Sequence, residues 1–411
     1  MEDKKVWGYA EFVPAIGEQL NSVWNRKLCF KDKDMKFFTE ASHFEHNIAL
    51  QSCWYGFEGV GKVVDGENNK NPLANKTFTK DGYRNLIGYP KNKTLVTDSG
   101  GFQVASWKRK GMPCPIKPID SLRWQEANAD IGMNLDIPST LDKVPTYEDF
   151  MKALDESVEN FRLFERERKN YDMWMYNVLH GENLKLMDIW YNKVKDFKFD
   201  GFAVGMKPPS DPMIQAMGFM YLWEKGEFEK DSCKGIHFFG TSGKHVVPVI
   251  AYIAHKFPHL RITYDSSSYN IGSIYRTYYT PLDIGTSLSF GDKFQTENPH
   301  IKELPCKCPV CQTIDDINIL NGKDIFAGTL ISLHNLYQYI YYNDILNSLV
   351  RQPKKFLEFL NGMNIKNKTL QSIKFVDFVM EHGMEKAVKE FEKDLIPQHV
   401  EKTKQVGVFD F

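Results

Sequence analysis

The 411-residue chain contains no window approaching the ~20 consecutive apolar residues that span a bilayer. Its opening, MEDKKVWGYAEF, lacks the charged-then-apolar order of a signal peptide, so the expectation is an intracellular, cytoplasmic protein with no membrane partner. Charge of one sign is missing too: 52 Lys and Arg against 53 Asp and Glu give a net charge of -1. That excludes a globally basic nucleic-acid-binding surface and leaves only a local patch open. Cysteines are few and odd in number. Of seven, Cys29, Cys53, Cys114 and Cys233 are scattered and three others are clustered, which is not the layout of a disulfide framework. No repeat, low-complexity tract or Pro/Ser-rich linker divides the chain, and GENNKNPLANK (66–76) reads as one polar surface loop.

What is present is enough for a sizeable core: 42% of residues are hydrophobic and 26% charged. Short apolar runs end repeatedly in Gly, Asp or Ser: TLVTDSGG (94–101), ADIGMNLD (129–136), MYNVLHG (175–181), GFAVGM (201–206), IHFFGTSG (236–243) and RITYDSSS (261–268). They read as buried strands, and helix-period segments at 147–169 and 245–257 lie between some of them. Alternating strand and helix with polar residues just past the strand ends predicts an α/β fold, a (β/α)8 TIM barrel with its chemistry at the strands' C-terminal ends. A doubly wound open sheet is the structural alternative. From about 335 the pattern turns helical, as in NLYQYIYYNDILNSLV. We therefore expect a barrel domain over 1–340 with a zinc-binding insertion at about 300–340, and a helical C-terminal extension over 341–411 packed on the barrel.

Cys306, Cys308 and Cys311 put three thiols within six residues, and His334 follows 23 residues after the last of them. Three soft sulfur ligands and an imidazole match tetrahedral Zn2+, one ion per chain. With all four positions taken by protein the ion is structural, and catalysis belongs elsewhere.

Asp98 in TDSGGFQ and Asp265 in YDSSSYN each end an apolar run and precede small residues. In a barrel both carboxylates would face one mouth. Two carboxyl groups flanking a bond to an anomeric carbon suit retaining glycosyl chemistry, although either acid alone serves equally well as a turn or cap residue. A phosphate-binding loop is the other reading of the glycines, but the spacing and lysine of a P-loop are absent.

DSGGFQ, a later GFAVG, the strand-borne acid of YDSSSYN, and C-x-C-x2-C followed by the His of LHNLY occur in this order over about residues 90–340. In this the chain resembles the nucleic-acid guanine transglycosylases. The resemblance implies a TIM barrel that exchanges guanine in a polynucleotide for a free 7-deazaguanine base without cutting the backbone. Asp265 would be the nucleophile on C1′, and Asp98 would protonate the departing guanine and deprotonate the incoming base. The division makes physical sense, since an acid/base group needs a raised pKa and a nucleophile must stay ionised. Asp136 would read the guanine edge, with Ser99, Gln103 and the backbone of Gly201 completing the pocket. Phe102 would stack on the base, and Phe239 is either a second wall or plain core. His180 stands where bacterial members carry Gln, and its ring would donate to a base carbonyl in the same pocket.

The segment after Asp265, SSSYNIGSIYRTYY, differs from the Leu-Pro-Thr-Arg type of bacterial tRNA enzymes. With PCKCPVC and LHNLY it is closer to archaeosine-type transglycosylases and their DNA-modifying relatives, often phage- or island-encoded. The 77 residues beyond His334 leave little room for the RNA-binding modules of the former. The resemblance therefore favours DNA over tRNA as partner and 7-cyano-7-deazaguanine (preQ0) as incoming base. A homodimer and accessory DNA-processing proteins are compatible with it. A tRNA enzyme is the alternative, and a non-catalytic, zinc-stabilised subunit a further one that the presence of both acids argues against. Lys108, Arg109 and Lys110 are candidates for holding phosphates or are simply a solvated basic turn.

Overall fold

A computed structural model describes residues 6–17, 20, 24, 29–54, 77–111, 114, 116–139, 146–205 and 208–395. The polar stretch 66–76 lies outside them, as do residues 396–411 of the expected extension.

The strands are β1 (Ala10–Pro14), the short β2 (Cys29–Phe30) and β3 (Lys33–Asp34), β4 (Ile48–Ser52), β5 (Thr94–Asp98), β6 (Ile131–Met133), β7 (Trp174–Leu179), β8 (Gly201–Val204), β9 (Gly235–Phe238), β10 (Arg261–Ser266), β11 (Thr277–Thr280) and β12 (Asp283–Ser289). Eight of them form one parallel sheet in the order β1-β10-β9-β8-β7-β6-β5-β4. The two outer strands meet through a parallel bridge between Ala15 and Leu50, and the Ile16 N–H donates to the Leu50 carbonyl at 2.8 Å, so the sheet closes on itself. This is the expected (β/α)8 barrel. Six of its strands are those predicted; β1 and β4 complete it.

Helices α1 (Gly82–Ile87), α2 (Gly101–Arg109), α3 (Pro118–Asn128), α4 (Tyr147–Glu167), α5 (Leu184–Val194), α6 (Pro212–Glu224) and α7 (Val247–Lys256) follow in alternation with the strands. Their starts are set by side chains that satisfy the free N–H groups of the first turn. Thr146 accepts from Asp149 N, Asn183 from Leu186 N and Asp211 from Met213 N. Helix α6 is buried from Pro212 to Leu222, because a C-terminal helix covers the side turned away from the barrel.

After β10 come α8 (Ser268–Ile274), the antiparallel β11–β12 hairpin, the cysteine segment and the long α9 (Ile325–Leu349). The expected boundary at 340 falls inside α9, which runs through it unbroken. Its first half carries His334, and in its second half Asn343 and Asn347 donate to the Ala10 carbonyl on β1. The cysteine unit is thus an insertion between the last strand and its helix, and α9 is part of the barrel. Beyond it α10 (Pro353–Gly362), α11 (Asn367–His382) and α12 (Met384–Glu390) form the helical extension. It is fixed to the barrel by Lys368–Asp211 at 2.6 Å, Thr369 Oγ1 on the His245 carbonyl and the Met384 N–H on Glu224. Among the described residues no helix is long and apolar enough to cross a membrane.

Side chains alternate in and out along each strand. On β10, Arg261, Thr263 and Asp265 share the inner face. Arg261 closes the N-terminal end of the barrel: Nε donates to Glu11 at 2.5 Å, Nη2 reaches Thr94 on β5 at 3.2 Å, and the guanidinium lies 4.7 Å from the Trp7 ring centre. The ring of Tyr176 fills the space beside Gly201 and Gly235.

Candidate active site

Asp98 ends β5 and Asp265 lies near the end of β10, both at the C-terminal rim of the barrel. Each is held by one oxygen. Oδ1 of Asp98 accepts from Ser52 Oγ at 2.6 Å and from the Gly100 N–H at 2.8 Å. Oδ1 of Asp265 accepts from the Gly240 N–H at 2.7 Å and lies 3.2 Å from His237 Nε2. The surroundings differ otherwise. Burial pushes the Asp98 carboxyl up to about 6 against the opposing pull of its two hydrogen bonds, and the negative charges of Asp265 and Asp136 add to the rise. Asp136 and Asp265 are thus near enough to Asp98 to act on its charge.

The glycines of DSGG have separate tasks. Gly100 adopts φ 77°, the left-handed turn that brings its N–H back onto Asp98. A Cβ on Gly101 would come within 2.0 Å of the Asp136 carbonyl oxygen, so only glycine lets this loop lie on the backbone that carries Asp136. Ser99 is buried, its carbonyl held by Ser121 Oγ at 2.9 Å and by the Cys53 thiol at 3.0 Å. Phe102, in the first turn of α2, is 58% exposed and has no core role. Gln103 follows it and is partly buried.

Asp136 is joined to His180: Nε2 lies 2.7 Å from Asp136 Oδ2 and Nδ1 lies 2.9 Å from the Gly205 carbonyl. Phe239 is half-buried beside His237, the rings edge-to-face with centres 5.1 Å apart. It packs against the edge of the core, one residue past the end of β9.

One of the expected pocket residues lies elsewhere. Gly201 opens β8 at its N-terminal end, in register with Tyr176 and Gly235, and a Cβ there would strike the Tyr176 ring at 2.7 Å. The glycine makes room for a buried tyrosine, and it is Gly205, at the other end of the strand, that meets the site. Lys108 is engaged in an ion pair with Glu156 of α4, so it is committed within the protein. Arg109 also has a partner within the protein, and Lys110 caps the helix in solvent.

His237 was passed over in the sequence, although it stands two residues before Phe239 and so shares its face of β9. It is fully buried, and its Nδ1 lies 2.8 Å from Thr263 Oγ1, which completes a line from Thr263 through His237 to Asp265. Ser52 was missed because IALQS offers no motif.

The ligating atoms of Cys306, Cys308, Cys311 and His334 all lie within 4.8 Å of one another, in a buried group able to hold one metal ion. Its outer contacts fit that use. His334 Nε2 is 2.8 Å from the Tyr279 carbonyl, which accepts only, so Nε2 carries the proton and Nδ1 turns its lone pair to the sulfurs. The Cys308 and Cys311 N–H groups donate to Cys306 and Cys308 sulfur, Gln338 Nε2 donates to Cys306, and the Tyr278 ring stacks on His334 at 3.7 Å.

A barrel with acids at its C-terminal rim and a Cys3His group inserted after the last strand is the arrangement that sequence comparison sets beside known proteins. The profile of the family described as Queuine tRNA-ribosyltransferase (TGT) matches residues 69–217, which include Asp98, Asp136 and His180. The tRNA-guanine(15) transglycosylase of Methanocaldococcus jannaschii is 22% identical over 264 residues, 62% of this chain and 36% of the relative. That of Sulfolobus acidocaldarius is 22% identical over 308 residues, 73% of this chain and 55% of the relative. That of Korarchaeum cryptofilum is 23% identical over 275 residues, 65% and 42% of the two chains. Over these stretches the chain is similar to the guanine transglycosylases. It spans between about a third and just over half the length of these curated relatives.

Proposed function

We propose that the protein exchanges guanine in a polynucleotide for a free 7-deazaguanine base by a retaining double displacement. The observation that carries this is the contrast between the two acids. Asp98 is raised to about 6, near the pH at which it must both give and take a proton. Asp265 is held by the Gly240 N–H and by His237, and presents Oδ2.

In this reading Oδ2 of Asp265 attacks C1′ while the bond from C1′ to guanine breaks and guanine leaves with the proton of Asp98. The strand stays on the enzyme as a glycosyl ester. The incoming base gives a proton back to Asp98 and displaces Asp265, restoring the configuration at C1′. Asp136 accepts from the base's N1–H and 2-amino group, and Phe102 offers its exposed ring to the base face. A nucleotide in a duplex has to leave the stack to reach this mouth.

The Cys3His group holds Zn2+ in this reading, as a fold-stabilising ion without an open position. DNA is the substrate we place first, with preQ0 as the incoming base; the segment after Asp265 departs from the bacterial tRNA pattern toward the branch that holds archaeosine-type enzymes and their DNA-modifying relatives. The tRNA reading is favoured by the relatives, which are tRNA-guanine(15) transglycosylases. Incubation with labelled guanine and preQ0 on DNA and tRNA side by side decides: incorporation into DNA is expected, and incorporation into tRNA alone overturns the preference. Metal analysis of the purified chain is expected to find one zinc, and folding unchanged after Cys308→Ala in strong chelator overturns the metal assignment.

A further inference from the structure

We infer that His180 and Asp136 form a proton-sharing pair of zero net charge, in which His180 positions Asp136 for the base and does not itself touch the base. The role given to Asp136 rests on the transglycosylase reading; the proton rests on geometry alone.

The count follows from donors and acceptors. The Gly205 carbonyl, 2.9 Å from Nδ1, can only accept, so Nδ1 carries a hydrogen. A neutral imidazole with its hydrogen on Nδ1 has a lone pair on Nε2. That lone pair faces Asp136 Oδ2 at 2.7 Å, and two lone pairs repel at that separation. A second proton therefore lies between Nε2 and Oδ2. Assigned to nitrogen, it gives an imidazolium donating from both sides, one hydrogen bond to a carbonyl and one to a carboxylate.

Packing holds the ring to these two partners. It lies against Gly205, where a Cβ would sit 2.3 Å from Cε1, so the glycine is what lets the imidazole reach the carbonyl. Trp190 of α5 closes another side edge-to-face, with ring centres 4.7 Å apart. With both nitrogens committed, His180 has no donor left for a base carbonyl. The glutamine that bacterial members carry at this position is neutral at every pH and holds no titrating proton.

The charged and titratable groups facing the pair are Asp98 at the end of β5 and, through it, Asp265 on β10; Glu182 lies two residues on in His180's own loop. When alkali removes it, Nε2 faces Asp136 with a lone pair and the carboxylate is released from its orientation. The free base should then bind about tenfold more weakly, whereas His180→Gln should lose no affinity beyond that caused by ionisation of the base itself.

Two measurements on the full chain test this. Calorimetric titration with free guanine from weakly acid to alkaline pH is compared between wild type and His180→Gln. Nitrogen-15 spectra of histidine-labelled protein are recorded in parallel, with the His180 signals identified by their absence from the variant. The expected result is a doubly protonated His180 at neutral pH and an alkaline loss of affinity confined to the wild type. A singly protonated His180, or the same alkaline loss in both proteins, overturns the pair. The spectra need no turnover, so the two claims separate. A doubly protonated His180 in a protein that exchanges no base keeps the pair and sinks the transglycosylase reading. An active enzyme with a singly protonated His180 does the reverse.

Discussion

Arg261 and Asp265 lie four residues apart on the same inner face of β10, and the two ends of the barrel treat their charges in opposite ways. At the N-terminal end Arg261 meets Glu11, Thr94 and the face of Trp7, so the buried cation is neutralised and its donors are used. At the C-terminal end the charges of Asp136 and Asp265 act on Asp98, and the side chains in contact with these acids include Ser52, His180 and His237. Opposite charge balanced on the spot marks the end that holds the barrel together. Like charge left in excess marks the end where a ligand completes the balance.

The largest effect expected from breaking this contrast is at Asp265. Asp265→Ala removes the attacking oxygen, and exchange should fall roughly ten-thousandfold. The covalent adduct between protein and nucleic acid, trapped under denaturing conditions, should vanish with it. An adduct that persists places the nucleophile elsewhere. Melting temperature is expected to hold, which separates this end from the other.

At the N-terminal end the same kind of change should act on stability. Arg261→Ala leaves Glu11 buried without its partner, a loss of about 3–5 kcal/mol of folding free energy. Replacing both residues, Arg261→Met with Glu11→Gln, should recover most of it, because the cost lies in the stranded charge. Denaturant unfolding of the single and double variants reads this directly, and a double variant no more stable than the single one contradicts it.

His237 sits between the ends and is expected to act on chemistry alone. His237→Ala removes a donor to Asp265 Oδ1 and leaves Gly240 N–H in place, so the carboxylate stays but is less well aimed. Adduct formation should slow about a hundredfold with little change in the KM for the base. His237→Gln, which keeps a donor, should fall between. An unchanged rate would make His237 a filler of the barrel interior.

How much of this was legible in the sequence varied with the physics. The six strands that end in Gly, Asp or Ser were visible because buried parallel strands read as apolar runs with abrupt stops. β1 and β4 were not: AEFVP carries an inward Glu11 that makes sense only opposite Arg261, and IALQS ends in two polar residues that serve as buried partners, one of them Ser52 on Asp98. The motif residues Asp98 and Asp265 stand at or near the ends of their strands, where apolar runs with abrupt stops put them. The Cys3His group was legible too, since three cysteines within six residues are already a local cluster. Gly201 and Gly205 could not be told apart from GFAVG alone, because which glycine meets the mouth depends on where β8 begins relative to its neighbours. That residue 340 falls inside a helix was hidden for a related reason. Continuous helical periodicity from Ile325 to Leu349 carries no mark of where one packing partner gives way to the next.

The smallest expected effect is on stability at Asp98, and its sign is the sharpest test of the contrast. The folded carboxyl is raised to about 6 from an ordinary value of 3.8. Between those values the folded state binds more protons than the unfolded state, so stability falls as pH rises through this window and the whole penalty is present above about pH 7. The shift corresponds to at most about 3 kcal/mol, and to about 1–2 once the open edge of the carboxyl is allowed for. Asp98→Asn keeps an acceptor for Ser52 Oγ and the Gly100 N–H and removes the charge. The variant should therefore melt at the same temperature as wild type near pH 4 and several degrees higher near pH 7.5, while exchange falls by at least about a hundredfold. A gap in melting temperature that is equal at both pH values would mean that Asp98 is ionised at no cost, and the mouth of the barrel would then be balanced like its other end.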